Sequence, residues 1–554
     1  MPLFPEEKSQ RKLETLRKKE EEESVKILSQ KYDLPYADLT ILPIELDALK
    51  IISEETARRS QTAIFQQTGN TIRIGLRNPD FKETLKTLAA LKEKRYIPEL
   101  FLVSQSGLTR VWALYQKIAA ESRAPSGAIH VSHEKIEQIQ REIKTADEIS
   151  ARIKDTQHTR ITDTLEVILA GALALDASDI HIEPRHDTVR IRFRLDGVLA
   201  DVALVPLKLY ALLLSRIKLV AELKLNIRDK AQDGRFTIRT GTIEIEVRVS
   251  TLPGPDGENV VMRILNPKSI SVEFSELGMQ PWVAECIDAE LKKPNGMILT
   301  TGPTGSGKTT TLYTFLKKIH SPTIKIITIE DPIEYHLEGI EQTQVDAEKG
   351  YDFANGLRAI VRQDPDVILV GEIRDLETAE TAMHASLTGH LVFSTLHTNN
   401  AAGTIPRLLD LGVRPSIIAP AINVSMAQRL IRKLCVHCKT ALTLTRELEE
   451  KIKKELAAFP EKVPTPEQQL WTLFAAASGG CPLCNHTGYK GRSGVFEIIL
   501  VDKNVEQLVL REPSEFEIMK EGERQNQITM RQDGLLKILI GITDFEEVNR
   551  VVGA

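Results

Sequence analysis

Between residues 296 and 396 short apolar runs recur along the chain: MILTT at 297–301, IKIITIE ending at Glu330, VILVG ending at Gly371, and LVFSTL at 391–396. Between them apolar residues fall every three or four positions, the spacing of a helix with one buried face. Continuous apolar strands joined by helices predict a parallel sheet covered on both sides. Upstream the pattern changes. A helical stretch, TDTLEVILAGALAL, leads into DTVRIRFRLDG and TIEIEVRVS, where apolar and polar residues alternate as in a sheet with one buried face. Further upstream TIRIGL at 71–76, closed by the turn signal Asn78-Pro79-Asp80, reads as a strand of a small α/β unit.

These changes of pattern divide the chain. The reading is a charged arm at 1–24, an N-terminal docking domain at 25–120, a polar linker at 121–150, and an accessory α/β domain at 151–270. A parallel α/β core follows at 271–432, then a cysteine-bearing region at 433–500 and a helical C-terminal region at 501–554. A length of 554 residues fits several cores rather than one. Charged residues make up 27% and the net charge is -5, so the composition gives no general attraction to nucleic acid. There is no apolar run of transmembrane length, and the charged N-terminus lacks the apolar centre of a secretory signal. A cytoplasmic protein that reaches a membrane only through partners is expected. Five cysteines, four of them in CxxC pairs, point to a metal rather than to disulfides.

The first chemical motif is Gly302-Pro303-Thr304-Gly305-Ser306-Gly307-Lys308-Thr309, followed by Thr310. It matches G-x-x-x-x-G-K-[ST] between an apolar strand and a helical TLYTFLKKI, the context a phosphate-binding loop requires. Its glycines let backbone N–H groups close on phosphate, Lys308 would reach the β/γ-phosphates of ATP, and the Thr309 hydroxyl would hold Mg²⁺. Two acidic clusters end later strands: Glu330-Asp331-Pro332-Ile333-Glu334 and, after VILV, Gly371-Glu372-Ile373-Arg374-Asp375. Phosphoryl transfer needs one acid near the metal and one group to orient water, and the C-terminal ends of such strands are where ligands bind. Glu330 and Glu372 are the candidates; Asp375 reads as a helix cap. His390 and His397 bracket the strand LVFSTL and are candidate sensors of the γ-phosphate. Cys435-Val-His-Cys438 and Cys481-Pro-Leu-Cys484 supply four thiolates for a closed, structural Zn²⁺ site. His437 and His486 are not needed as ligands, and Cys286 reads as a small buried apolar residue.

Taken in order, the phosphate loop, EDPIE, VGEIRD and TGHLVFSTLHT resemble the ATPases of type II secretion and type IV pilus assembly. The likeness extends through ASDIHIEP, RIRFRLDGVL, Asp233-Gly-Arg235-Phe, RVSTLPG, GENVVMRIL, RLIRKLC and GYKGRSGVFE, covering residues 150–500. It implies a RecA-like P-loop NTPase core with a preceding PAS-like α/β domain, assembled as a hexameric ring. It further implies that Arg235 and Arg248 contact nucleotide phosphates, that Glu330 orients the attacking water, and that Glu372 stands on the Mg²⁺ side, with the two acids open to exchange. Arg358 and Arg362 are candidates for nucleotide sensing. The zinc knuckles and the long N-terminal region are shared with extension and secretion motors and are missing from retraction motors. The implied partner is an inner-membrane pilus platform protein. Extension and secretion motors share these motifs; the length of the segment 439–480 between the two CxxC pairs favours pilus extension, with type II secretion as the alternative. A nucleic-acid translocase or an inactive nucleotide-binding scaffold fits less well. The N-terminal domain lacks the Arg-Leu-Gly segment expected of a cyclic di-GMP-binding copy.

Overall fold

The computed structural model describes residues 20–553, except 43, 50, 69–70, 95, 123–127, 130–141, 144, 157–160, 241–242 and 268–271. Most of the expected charged arm and much of the expected linker lie outside these residues. The chain forms two compact units, Met1–Ala128 and Ile129–Ala554.

In the first unit β1 (Thr62–Thr68), β2 (Thr71–Leu76) and β3 (Ile97–Leu102) form one sheet, antiparallel at β1–β2 and parallel at β2–β3. Buried aromatics pin the helix Gln105–Ser122 to this sheet and to the helix Leu46–Leu49. The Trp112 indole donates to the Thr62 carbonyl at 3.0 Å, and the Tyr115 hydroxyl donates to the Leu49 carbonyl at 2.9 Å.

The second unit contains two large sheets. In the first, β4 (Asp179–Pro184), β5 (Thr188–Leu195), β6 (Val198–Pro206), β7 (Gln232–Thr240), β8 (Ile243–Gly254) and β9 (Gly257–Leu265) are antiparallel, in the order β7-β8-β9-β4-β5-β6. The alternation read from sequence is real: Ile180, Ile182, Ile191, Phe193, Val260 and Met262 are buried against the helices Ile161–Ala174 and Leu207–Val220. The intervening positions carry charge on the other face.

The second sheet contains β10 (Gly296–Thr301), β11 (Ile326–Glu330), β12 (Glu341–Gln344), β13 (Val367–Val370), β14 (Leu391–Leu396), β15 (Ile422–Leu434) and β16 (Tyr489–Leu500). Their order is β12-β11-β13-β14-β10-β15-β16, parallel throughout except for β16. Every residue of β10, β11, β13 and β14 is buried, as uninterrupted apolar runs require when helices cover both faces. The core does not stop at residue 432. β15 runs on to Leu434, and β16, from within the expected cysteine region, pairs with it antiparallel from Val424–Leu500 to Leu434–Tyr489. The helices Met530–Leu539 and Phe545–Val552 pack on these two strands. Buried polar contacts fasten them: Arg432 pairs with Glu547 at 2.7 Å, and Asp533, paired with Lys537 on its own helix at 2.6 Å, accepts from the Phe496 N–H of β16 at 2.9 Å.

Candidate nucleotide site and cysteine cluster

Because the strands from β12 to β15 are parallel, their C-terminal ends form one edge. The loop after β10, Glu330 at the end of β11, Glu372 just beyond β13 and His397 just beyond β14 all open on one cleft of about 680 Å³. Thr304, Gly305, Ser306, Gly307, Lys308, Thr309 and Thr310 line it. Gly307 caps the helix Lys308–Ile319 at φ 90°, and a Cβ there would stand 2.8 Å from Gln428 Nε2. Only glycine meets both demands. The Ser306 hydroxyl is buried with no partner among the described residues, a donor left over in the wall of the loop. Lys308 folds back so that Nζ donates to the carbonyls of Gly302 at 2.8 Å and Pro303 at 3.2 Å. Burial lowers its pKa, the Glu372 charge opposes that shift, and Arg429 adds to it.

The two candidate acids differ. Glu372 stands between Arg374 at 2.5 Å and His397 at 3.4 Å, next to Lys308. Glu330 is 3% exposed, and both its oxygens are engaged. Oε2 accepts from the Tyr313 hydroxyl; Oε1 accepts from Thr328 at 2.6 Å and Gln342 at 3.2 Å. Burial raises the Glu330 pKa, with the three donors opposing it, while burial and the Glu330 charge drive Tyr313 far above its usual range. Tyr313 therefore stays protonated and ties the helix Lys308–Ile319 to β11. Tyr313→Phe is expected to lower unfolding stability by about 1–3 kcal/mol, because a buried carboxylate loses a donor. An unchanged denaturant midpoint would show that the hydroxyl carries no such load.

Not every expected residue reaches the cleft. His390 precedes β14, so the strand itself carries it to the opposite edge of the sheet, roughly 20 Å from His397 at about 3.3 Å per residue. There its Nδ1 donates to the Ala385 carbonyl at 2.8 Å. Arg235 and Arg248 line an adjoining depression of about 900 Å³. Arg248 donates to the Ile333 carbonyl at 2.7 Å and approaches Glu334 at 3.3 Å, while Arg235 is held only loosely by Glu246 at 4.0 Å. Arg358 pairs with Glu377 on the surface, Arg362 caps its helix, and Asp375 caps Leu376–Leu387 by accepting from the Thr378 N–H at 2.8 Å. Conversely, Arg194, Arg263 and Arg492 line the cleft without having been singled out, and so does Glu334, named only as a member of the first acidic cluster. The signal of Arg194 and Arg263 in sequence was charge at the outward positions of alternating strands, which reads equally well as a solvated face.

At the end of β15 and before β16, Cys435, Cys438, Cys481 and Cys484 bring their sulfurs within 4.8 Å of one another. Cys435–Cys481 and Cys438–Cys484 are each separated by 3.8 Å. That is the edge of a tetrahedron whose centre lies about 2.3 Å from each corner, the Zn–S bond length. Burial opposes ionisation of Cys484, but the N–H groups of Cys481 and Gly488 aimed at its sulfur bring the thiol down to about 7. The four residues fit Zn²⁺. Cys286 lies elsewhere, half-buried in the helix Pro281–Leu291.

A parallel sheet with a phosphate loop at its C-terminal edge and acids on the neighbouring strands defines a RecA-like P-loop NTPase core. The chain matches the family described as Type II/IV secretion system protein over residues 135–550, and it belongs to that family. It is 40% identical over 488 residues to the type II secretion system ATPase E of Vibrio cholerae, covering 86% of this chain and 93% of that one. It is 38% identical over 526 residues to the type IV pilus assembly ATPase PilB of Pseudomonas aeruginosa, covering 94% and 89%. Among solved structures, the ATPase DotB of Legionella pneumophila shares the fold at a TM-score of 0.50 and 22% identity, over 70% of this chain and 94% of that one. Among the described residues no helix is long and apolar enough to cross a membrane.

Proposed function

We propose that the protein is a cytoplasmic ATPase that works as a hexameric ring at the inner membrane, hydrolysing ATP to extend a type IV pilus. The observation that carries the ATPase reading is the convergence of the phosphate loop, Glu372, His397 and the facing arginines on one cleft. Lys308 and the loop N–H groups bind the β/γ-phosphates, and Thr309 and Glu372 would hold Mg²⁺. Mg²⁺, when bound, supplies charge neutralisation across the β- and γ-phosphates. Glu372 is assigned to the metal and the attacking water, because Glu330 has both oxygens engaged and serves to fix the helix behind the loop. The arginines of the accessory sheet neutralise charge that develops on the transferred phosphoryl group, a role supported by Arg194 and Arg263 lining the cleft.

Extension is favoured because the alignment with the pilus-assembly ATPase takes in 94% of this chain and so must include most of the N-terminal unit. Secretion is the second reading, favoured by the 40% identity with the secretion ATPase. The test is ATP turnover by the purified protein, with its mass in solution, in the presence of either the cytoplasmic part of a pilus platform protein or double-stranded DNA. Turnover stimulated by the platform fragment is expected. Glu372→Gln is expected to lower turnover by about 10²–10³-fold while nucleotide binding survives. Stimulation by DNA alone would overturn the motor reading.

A further inference from the structure

We propose that Asp179 is a positioning residue for hydrolysis: one buried carboxylate holds two guanidinium groups, those of Arg194 and Arg263, against the nucleotide cleft. This inference rests on the ATPase reading and adds a residue to it.

The arrangement follows from strand register. On the adjacent strands β9, β4 and β5, Arg263 lies opposite Asp179 and Asp179 lies opposite Arg194, so the three side chains form a row on one face. Asp179 Oδ1 is 3.1 Å from Arg263 Nε, and Oδ2 is 3.1 Å from Arg194 Nε. Ser178 Oγ donates to Oδ2 at 2.8 Å. Both guanidinium groups are thus gripped by the Nε edge. Among the described residues their terminal nitrogens, the pair that matches phosphate oxygens, make one bond, from Arg194 to the Gly197 carbonyl at 3.1 Å. Asp179 is 5% exposed, while the Arg263 side chain is 54% exposed and that of Arg194 35%. The acid is sunk and the cations face open space. Asp179, Arg194 and Arg263 all line the cleft that contains Lys308 and Glu372. One carboxylate against two guanidinium groups also leaves the row net positive, so the tether does not cancel the charge it aims.

The same sheet contains its own control. Glu183, on the same strand, bridges Arg190 at 3.2 Å and Arg192 by a shorter contact, repeating the chemistry of one acid and two arginines. None of those three residues lines the cleft. A merely structural role predicts the same consequences for the two acids; a positioning role separates them.

The experiment compares Asp179→Ala and Glu183→Ala in the full chain, measuring ATP turnover, KM for ATP, melting midpoint, and affinity for MgADP with and without fluoroaluminate. For Asp179→Ala, kcat is expected to fall about 10–100-fold with KM within about twofold, since displaced arginines cost most when charge develops. Its affinity for MgADP–fluoroaluminate falls with kcat while that for MgADP holds. Glu183→Ala loses comparable thermal stability and keeps its kcat. Asp179→Asn, which retains one acceptor oxygen, falls between, and it replaces the alanine variant if that does not fold. Equal kcat in Asp179→Ala and Glu183→Ala, with the unmodified protein turning over, would overturn this inference alone. An unmodified protein that neither binds nor hydrolyses ATP would instead overturn the ATPase reading.

Discussion

Lys308→Ala is expected to reduce ATP turnover by about 10²–10³-fold or more, the cost of removing a preorganised positive donor from a site where negative charge moves. The geometry makes this loss hard to compensate. Lys308 opens the helix that follows the loop, and Nζ rests on the loop's own carbonyls at 2.8 and 3.2 Å. A triphosphate in the cleft offers a stronger acceptor than either carbonyl, so the ammonium has only to swing from one to the other. Arg429, the cation that adds to the downward shift of Lys308, is not free to take over that role, being occupied by the carbonyls of Gln428 at 2.9 Å and Asn399 at 2.8 Å. Lys308→Arg should rescue little, because a planar fork does not replace a compact ammonium at the centre of a closed loop. The fold should survive, since the freed carbonyls border an open cleft and water can reach them. Steady-state hydrolysis beside a melting curve checks both halves. Full turnover in the alanine variant would remove Lys308 from the chemistry, and loss of folding would leave the catalytic assignment without support.

The legible part of this site was the part whose side chains and backbone cooperate locally. The loop at 302–309 and the four apolar strands announce themselves within a few residues each. Their burial on both faces is what uninterrupted Ile, Val and Leu require. What the chain hides is direction and distance. His390 and His397 look equivalent as brackets of one strand, yet a strand has two ends and only its C-terminal end meets the loop. Glu330 ends its strand as a catalytic acid would, but Tyr313 and Gln342, from two other elements, engage it from behind. β16 escaped notice because 54 residues separate it from its partner β15 and the strand carries Gly491 and Gly494. The row Arg263–Asp179–Arg194 was visible only as alternation, because its register depends on three strands drawn from distant segments.

Zn²⁺ held by the four cysteines is expected to support more than the turn that carries them, so its removal should be felt beyond that turn. The cluster joins the last residues of β15 to the turn that launches β16, across 46 residues of sequence. Those strands are the last pair of the core sheet, and the seam is continued by Cys435 N–H donating to the Gly488 carbonyl at 2.9 Å. Next to it, Tyr489 donates to Asp544, Arg432 packs over the Tyr489 ring, and Arg432 meets the buried Glu547. Four thiolates 3.8 Å apart along two edges repel one another once ionised, so without the cation the corner must protonate or open. A structural zinc of this type contributes on the order of 10 kcal/mol to local folding. The opening should then propagate through β16 to the helix Phe545–Val552, whereas the intervening helix Arg446–Leu456 retains some support, because Ile452 packs with Leu535 and Ile538 of the helix Met530–Leu539. The expected result is one zinc per chain by elemental analysis, lost in Cys435→Ser or after strong chelation, together with a lower melting midpoint. Hydrogen exchange should rise first in residues 435–441 and 481–495. Cys286→Ser, outside the cluster, should keep both the metal and the midpoint. Protein that carries no zinc as purified, takes none up from added Zn²⁺ and melts identically to Cys435→Ser would show that the sulfurs converge for packing alone.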